Sequence, residues 1–205
     1  MEHPDPAANA SSAHAYILHQ QILHDQCSRF ASPQLAFDWL TPGHTIPARV
    51  AALAALNPDH LAAYDATTTL TYRELDHAAN RVANVILAAC GNNPEIVAIF
   101  AGIDVTALVA ALGVLKSGRA FVGFDDNLPE SRCAQILADT DNRVILYDGA
   151  HASLAERLAG NQRQLIAIEA CTEAPAHAPA VSPGPETIAI LNYSSGSTGQ
   201  PKGVV

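Results

Sequence analysis

Four short apolar runs, "EIVAIF", "RAFVGFD", "RVILYD" and "QLIAI", recur between Glu95 and Ile168, separated by the helical stretches "DVTALVAALGVLKSG", "PESRCAQILADT" and "HASLAERLAG". This alternation constrains the fold more than any other feature. The runs show little polar alternation, so each is buried on both faces. The helical stretches between them are long enough to carry the chain back to the start of a parallel neighbour. The pattern predicts an α/β fold, a mostly parallel sheet flanked by helices.

The segments before this core carry local signals of their own. In "TIPARVAALAAL", Thr45 is placed to cap a helix and Pro47 suits its first turn. Val50, Leu53 and Leu56 fall on one face, and the helix should end near Asn57-Pro58. "HLAAYDATTTLTY" reads as two short strands about a turn at Asp65 to Thr68. In "LTYRELDHAANRVANVILAACG", Thr71 and Glu74 have capping-box spacing, and Leu75, Ala78, Ala79, Val82 and Ile86 line one face. Gly91 supplies a residue able to take positive φ at the end. Lys116 and Arg119 are expected to be surface charges at a helix end, and Asp125 and Asp126 to serve a turn. Residues 1–44, rich in Ala, His, Gln and Ser, are expected to form a weakly ordered arm or helix ahead of a domain over 45–205. The spacing of His14, His19 and His24 puts them on different helical faces, which argues against a metal site.

Charge and cysteine usage exclude several function classes. The net charge is −9, and the 11 basic residues are spread singly, so no electrostatic footprint for nucleic acid or anionic lipid is present. Cys27, Cys90, Cys133 and Cys171 are far apart and form no C-x-x-C pair, which predicts single thiols in a reducing compartment. The acidic, proline-bearing start lacks the basic and apolar regions of an export signal. The run Val105 to Leu115 is too short to cross a bilayer. A cytoplasmic protein without nucleic-acid or membrane partners is expected.

After the proline-rich connection Cys171 to Glu186, "TIAILNY" reads as one more strand and leads directly into "SSGSTGQPKGVV". A ligand site is expected beyond the carboxyl ends of such strands. Ser194, Ser195, Ser197 and Thr198 supply hydroxyls, Gly196, Gly199 and Gly203 permit exposed amides, and Lys202 adds a full positive charge. Donors of this kind suit the oxygens of a polyphosphate. The Walker-type loop is excluded by spacing: counting from Gly196, Pro201 stands at the second glycine and Gly203 at the metal-binding hydroxyl.

"YSSGSTGQPKGVV" resembles the phosphate-binding signature of the AMP-forming adenylate synthetases, a superfamily of acyl-CoA synthetases, luciferases and nonribosomal peptide synthetase adenylation domains. "LTYRELDHAANRVAN" and "ALGVLKSGRAFVGFDDNLPESR" resemble two earlier motifs of that family, the second leaning toward the peptide synthetases. Gly123 departs from that motif, which usually has proline there, and a looser turn is expected at this point. The resemblance implies that 45–205 is a partial N-terminal subdomain of the large domain, ending at the phosphate-binding loop. It implies a ligase in which a carboxylate, an amino acid by branch, attacks the α-phosphate of ATP to give acyl-adenylate and pyrophosphate. Ser194, Ser195, Gly196, Ser197, Thr198, Gly199 and Lys202 would hold the β- and γ-phosphates. CoA or a phosphopantetheine carrier would then take the acyl group. The ligand for Mg2+, the acyl pocket and the catalytic lysine of that family are expected outside this chain, so no catalytic residue is identifiable in it and no catalysis is expected of it alone. Two alternatives stand beside this reading: a stand-alone nucleotide-binding module, and a noncatalytic remnant serving as an interaction domain.

Overall fold

The computed structural model describes residues 45–91, 93, 95–195 and 201–205. The arm expected over 1–44, with His14, His19, His24 and Cys27, lies outside them. The first helix, α1 (Ile46–Leu56), starts where a side chain can replace a missing turn: the Ala48 amide donates to Thr45 Oγ1 at 3.3 Å, and Pro47 occupies the first turn. Val50 packs on the core, whereas Leu56, the last residue of the helix, is exposed. Strands β1 (Leu61–Tyr64) and β2 (Thr69–Thr71) pair antiparallel across the expected turn. Asp65 Oδ1 accepts the Thr67 and Thr68 amides, and its Oδ2 accepts the Val105 amide at 3.0 Å. These bonds, the one from Val105 foremost, pull the Asp65 carboxyl down to about 2.

The long helix α2 (Tyr72–Cys90) begins with the capping box read from sequence. The Glu74 amide donates to Thr71 Oγ1 at 3.3 Å, and the Thr71 amide donates to Glu74 Oε2 at 2.8 Å. It ends at Gly91 with φ +62°, a conformation that favours glycine. Strands β3 (Ile96–Phe100), β4 (Ala120–Phe124), β5 (Val144–Tyr147) and β6 (Gln164–Ala167) form one parallel sheet in the order β4-β3-β5-β6. Helices α3 (Val105–Lys116), α4 (Glu130–Thr140) and α5 (Ala152–Ala159) provide the crossovers. The strand and helix alternation is therefore realised element by element. Gly123 lies within β4 opposite Ile99, so the looser turn expected there does not occur.

Two cores follow from this winding. On one face α2 and α3 meet β3 and β5 through Ala79, Val82, Ile86, Leu112, Val97, Ile99 and Leu146. Gly113 permits that approach, since a Cβ there would stand 2.6 Å from Val82 Cβ. On the other face α4 and α5 cover Phe100, Phe124 and Ile145 with Cys133, Ile136, Leu137 and Ala155. Phe100 and Phe124 stack with centroids 4.3 Å apart.

Lys116 and Arg119 are not surface charges. Lys116 is 5% exposed, and its Nζ donates to Asp76 Oδ1 at 2.6 Å and to Asn80 Oδ1 at 2.8 Å. Arg119, buried as well, donates to the carbonyls of Ser117 and Gly91 and thereby caps two helix ends. A cation this deep in the fold requires a partner, and α2 brings one across the α2–α3 contact. Asn80 and Asn84 of α2 also donate to the carbonyls of Pro175, Ala176 and His177, holding the proline-rich connection to the helix.

Candidate functional site

The segment expected as a further sheet strand departs from that expectation. Within "TIAILNY", the contact with the sheet is one parallel bridge between Ile190 and Phe121, made by the Phe121 amide to the Ala189 carbonyl and the Leu191 amide to the Phe121 carbonyl. Ile188 and Ile190 remain exposed, because no described layer covers their outer side. Strand β7 (Asn192–Ser195) then pairs antiparallel with β8 (Pro201–Val204) and not with β4. Pro201 opens β8, a strand position where a missing amide donor is tolerated.

This ribbon carries the predicted phosphate-binding residues. Ser194 faces Lys202 in register, and Ser195 faces Pro201. Gly196, Ser197, Thr198 and Gly199 lie outside the described residues. Gly203 pairs with Tyr193 in extended backbone, so its value is space and not a left-handed turn: a Cβ there would stand 3.2 Å from Leu191 Cδ1 and 3.5 Å from Tyr193 Cζ.

Side chains of α4 reach this ribbon. Arg132 Nη2 donates to the Ser194 carbonyl at 3.1 Å, and the Tyr193 hydroxyl donates to Asp139 Oδ2 at 2.5 Å. Burial and then the Asp139 carboxylate push the Tyr193 phenol up to about 12, so it stays a donor. The Tyr193 ring packs against the second core. Between the start of α3 and the edge of β4, a groove of about 620 Å³ lined by Ala101, Ile103, Leu108, Phe121, Ile190 and Asn192 opens beside β7.

The crevice between β3 and β5, where the winding reverses, is occupied by protein. Asp148 Oδ2 accepts the Gly102 amide at 3.1 Å, and its Oδ1 contacts His151 Nδ1 at 2.6 Å; His151 Nε2 lies 2.7 Å from Asp126 Oδ1. The loops after β3, β4 and β5 are thus tied together. Burial opposes charge on His151, yet its bonds to Asp148 and Asp126 outweigh burial and hold its pKa above the ordinary value. Asp148 is displaced the other way: burial raises it, but the His151 contact and the Gly102 amide prevail. Asp125 has the expected turn role, accepting the Asn127 amide at 2.8 Å, whereas Asp126 turns to His151.

The described thiols are poorly suited to chemistry. Burial, with Glu95 adding to it, pushes Cys90 up to about 12, and burial raises Cys171 to about 11 and Cys133 above its usual value. Among the described residues no group of three or more His, Cys, Asp or Glu could hold a metal ion, and no helix is long and apolar enough to cross a membrane.

Sequence reasoning did not assign Arg132, Tyr193, Asp139 or His151 to a site. Arg132 and Asp139 could have been paired as one helical face of "PESRCAQILADT", seven residues apart. Nothing local announces the His151 contacts, which join different loops.

A family model described as AMP-binding enzyme matches residues 50–205. The chain is 33% identical over 180 residues to a linear gramicidin synthase of Brevibacillus parabrevis, covering 84% of this chain and 2% of that protein. It is 37% identical over 161 residues to the isonitrile lipopeptide synthase of Mycobacterium tuberculosis, covering 78% of this chain and 6% of that protein. Among solved structures, a fatty acyl CoA synthetase of M. tuberculosis superposes with a TM-score of 0.69 at 25% identity, over 78% of this chain and 34% of that one. A nonribosomal peptide synthetase, FmoA3, bound to alpha-methyl-L-serine-AMP gives 0.69 at 25% identity, over 78% of this chain and 17% of that one. The chain therefore spans a small fraction of the curated relatives' length.

Proposed function

This chain belongs to the family of AMP-binding enzymes, and from that premise we propose that residues 45–205 are the N-terminal part of the large domain of an ATP-dependent, AMP-forming acid ligase. In this reading Ser194, Ser195, Gly196, Ser197, Thr198, Gly199 and Lys202 hold the β- and γ-phosphates of ATP. The carboxylate attacks the α-phosphorus, the bond to the bridging oxygen breaks, and pyrophosphate leaves with the negative charge that Lys202 offsets. The observation that supports the proposal is the ribbon itself: Ser194 of β7 and Lys202 of β8 are paired in register, and the sequence between them is rich in glycine and hydroxyls.

The similarity to two peptide synthases supports an amino acid as the carboxylate; a phosphopantetheine carrier or CoA would take the acyl group, in a cytoplasmic setting. A magnesium ion would shield the phosphate oxygens, and its ligand belongs outside residues 45–205. The apolar groove beside β7 suits burial against the acid-binding part of the domain, which also lies outside them. The chain alone is inactive because the ATP grip lacks the groups that hold the acid.

Calorimetric titration with ATP tests this. Binding by the unsubstituted chain that weakens at least tenfold in Lys202→Ala is expected; loss of a charge-assisted bond is worth about that much. No binding, or binding indifferent to Lys202, overturns the assignment. Carboxylate-dependent exchange of pyrophosphate into ATP by this chain alone would overturn the claim of inactivity.

A further inference from the structure

We propose that Arg132 and Asp139 of α4 are positioning residues for the phosphate-binding loop, acting through Ser194 and Tyr193 and not through the ligand. The proposal rests on the reading of Ser194 to Lys202 as a phosphate grip. Arg132 and Asp139 stand seven residues apart, two turns along one face of α4, and they hold two consecutive residues of β7. Arg132 takes the Ser194 carbonyl and Asp139 takes the Tyr193 hydroxyl.

Tyr193 and Ser194 lie within β7, just ahead of Ser195 and of the sequence that carries the remaining hydroxyls. The backbone attachment of this segment to the main sheet lies further back, at Phe121 and Ile190. Between that bridge and the end of β7, α4 fixes the direction of the strand. The helix is a rigid base for this purpose, since Cys133, Ile136 and Leu137 are buried in the second core. Its approach is fixed as well, because Asp126, four residues before α4, is held by His151.

A loop of amides and hydroxyls binds a polyphosphate well only if its donors are aimed in advance. An error of about 1 Å in their placement costs far more than the bond that set it. Arg132 thus acts on the site through the backbone, its Nη2 donating to the Ser194 carbonyl. Removing it should loosen the grip and leave the two cores intact.

The test uses the full chain with ATP and inorganic tripolyphosphate as probes, and the variants Arg132→Ala, Arg132→Lys, Tyr193→Phe and Lys202→Ala. Affinity, thermal midpoint and amide hydrogen exchange are measured for each. Arg132→Ala should weaken both probes roughly tenfold, as loss of a charge-assisted bond does, and Arg132→Lys should recover part of that. Exchange should quicken over β7 and β8 with β3 and β5 unchanged, and the thermal midpoint should stay put. If the unsubstituted chain binds, Lys202→Ala weakens binding at least tenfold, and the Arg132 and Tyr193 variants bind as well as the unsubstituted chain does, the positioning role is overturned while the phosphate assignment stands. Unchanged exchange in β7 and β8 also overturns it. If the unsubstituted chain binds neither probe, the phosphate assignment fails first and the inference falls with it.

Discussion

Replacing Lys116 by methionine separates two accounts of that residue by magnitude. Methionine keeps most of the aliphatic stem's packing and removes the charge. Were Lys116 a solvated cation at the end of α3, the loss would be the macrodipole contribution, about 0.3–1 kcal/mol. The structure places it otherwise, 5% exposed, with donors satisfied by Asp76 Oδ1 at 2.6 Å and Asn80 Oδ1 at 2.8 Å. Deleting one partner of a buried pair costs about 3–5 kcal/mol because the other charge stays behind. Asp76 is 15% exposed and keeps the bond from Asn80 Nδ2 at 3.0 Å, so the low end, about 3 kcal/mol, applies. For a chain of this size that lowers the thermal midpoint by roughly 6–12 °C. Urea unfolding should show the same loss at an unchanged slope. In a cycle with Asp76→Ala, the double variant should be about as stable as either single one, a coupling of at least ~2 kcal/mol. A Lys116→Met variant within about 1 kcal/mol of the parent, or two losses that simply add, would refute the buried-pair account.

Two further outcomes follow from the packing and from the His151 contacts. Gly113→Ala brings a Cβ to 2.6 Å from Val82, and the overpacking cost of about 1–3 kcal/mol should exceed the roughly 1 kcal/mol gained in helix propensity; a raised midpoint would show that α2 and α3 can separate freely. His151 has a folded pKa above its unfolded one, so its contribution is full below the unfolded value and is lost as pH rises through the folded value. The stability gap between the parent and His151→Gln should therefore shrink as pH is raised from about 5 to about 9. Asp148 is displaced downward and loses its contribution only in acid, outside that window. A gap that is flat or widens with pH would refute the doubly paired imidazolium.

What could be read from sequence was what is local. Thr71 and Glu74, Thr45 and Pro47, and Gly91 each act within a few residues of themselves, and the structure shows every one in its expected role. The strands of the sheet were legible because each is a short apolar run; β3 and β5 are buried on both faces as expected, whereas the outer strands β4 and β6 are partly exposed. Lys116 was misread because its partner, Asp76, is forty residues away, and only the α2–α3 crossing shows that the two meet. "TIAILNY" was apolar enough for an inner strand, but Ile188 and Ile190 remain exposed and pairing passes to β8 at Asn192. An apolar run records that a segment is meant to be covered, and not by what. The site divides in the same way. Its hydroxyls, glycines and lysine are contiguous and visible, whereas Arg132 and Asp139 reach it from 62 and 54 residues away, and no local pattern encodes that.

The manner in which the β7–β8 ribbon joins the sheet has a mechanical consequence. Two backbone hydrogen bonds at Phe121 attach it to the edge of β4, while β3, the strand beside β4, is paired along its length with both neighbours. A pull arriving through β8 meets its ladder with β7, then the α4 contacts at Ser194 and Tyr193, then the two edge bonds, one group after another, whereas β3 could only be withdrawn by shearing both its ladders at once. The ribbon is thus the fuse of the fold: its attachments at the rim of the sheet give way before the ladders of the buried strands.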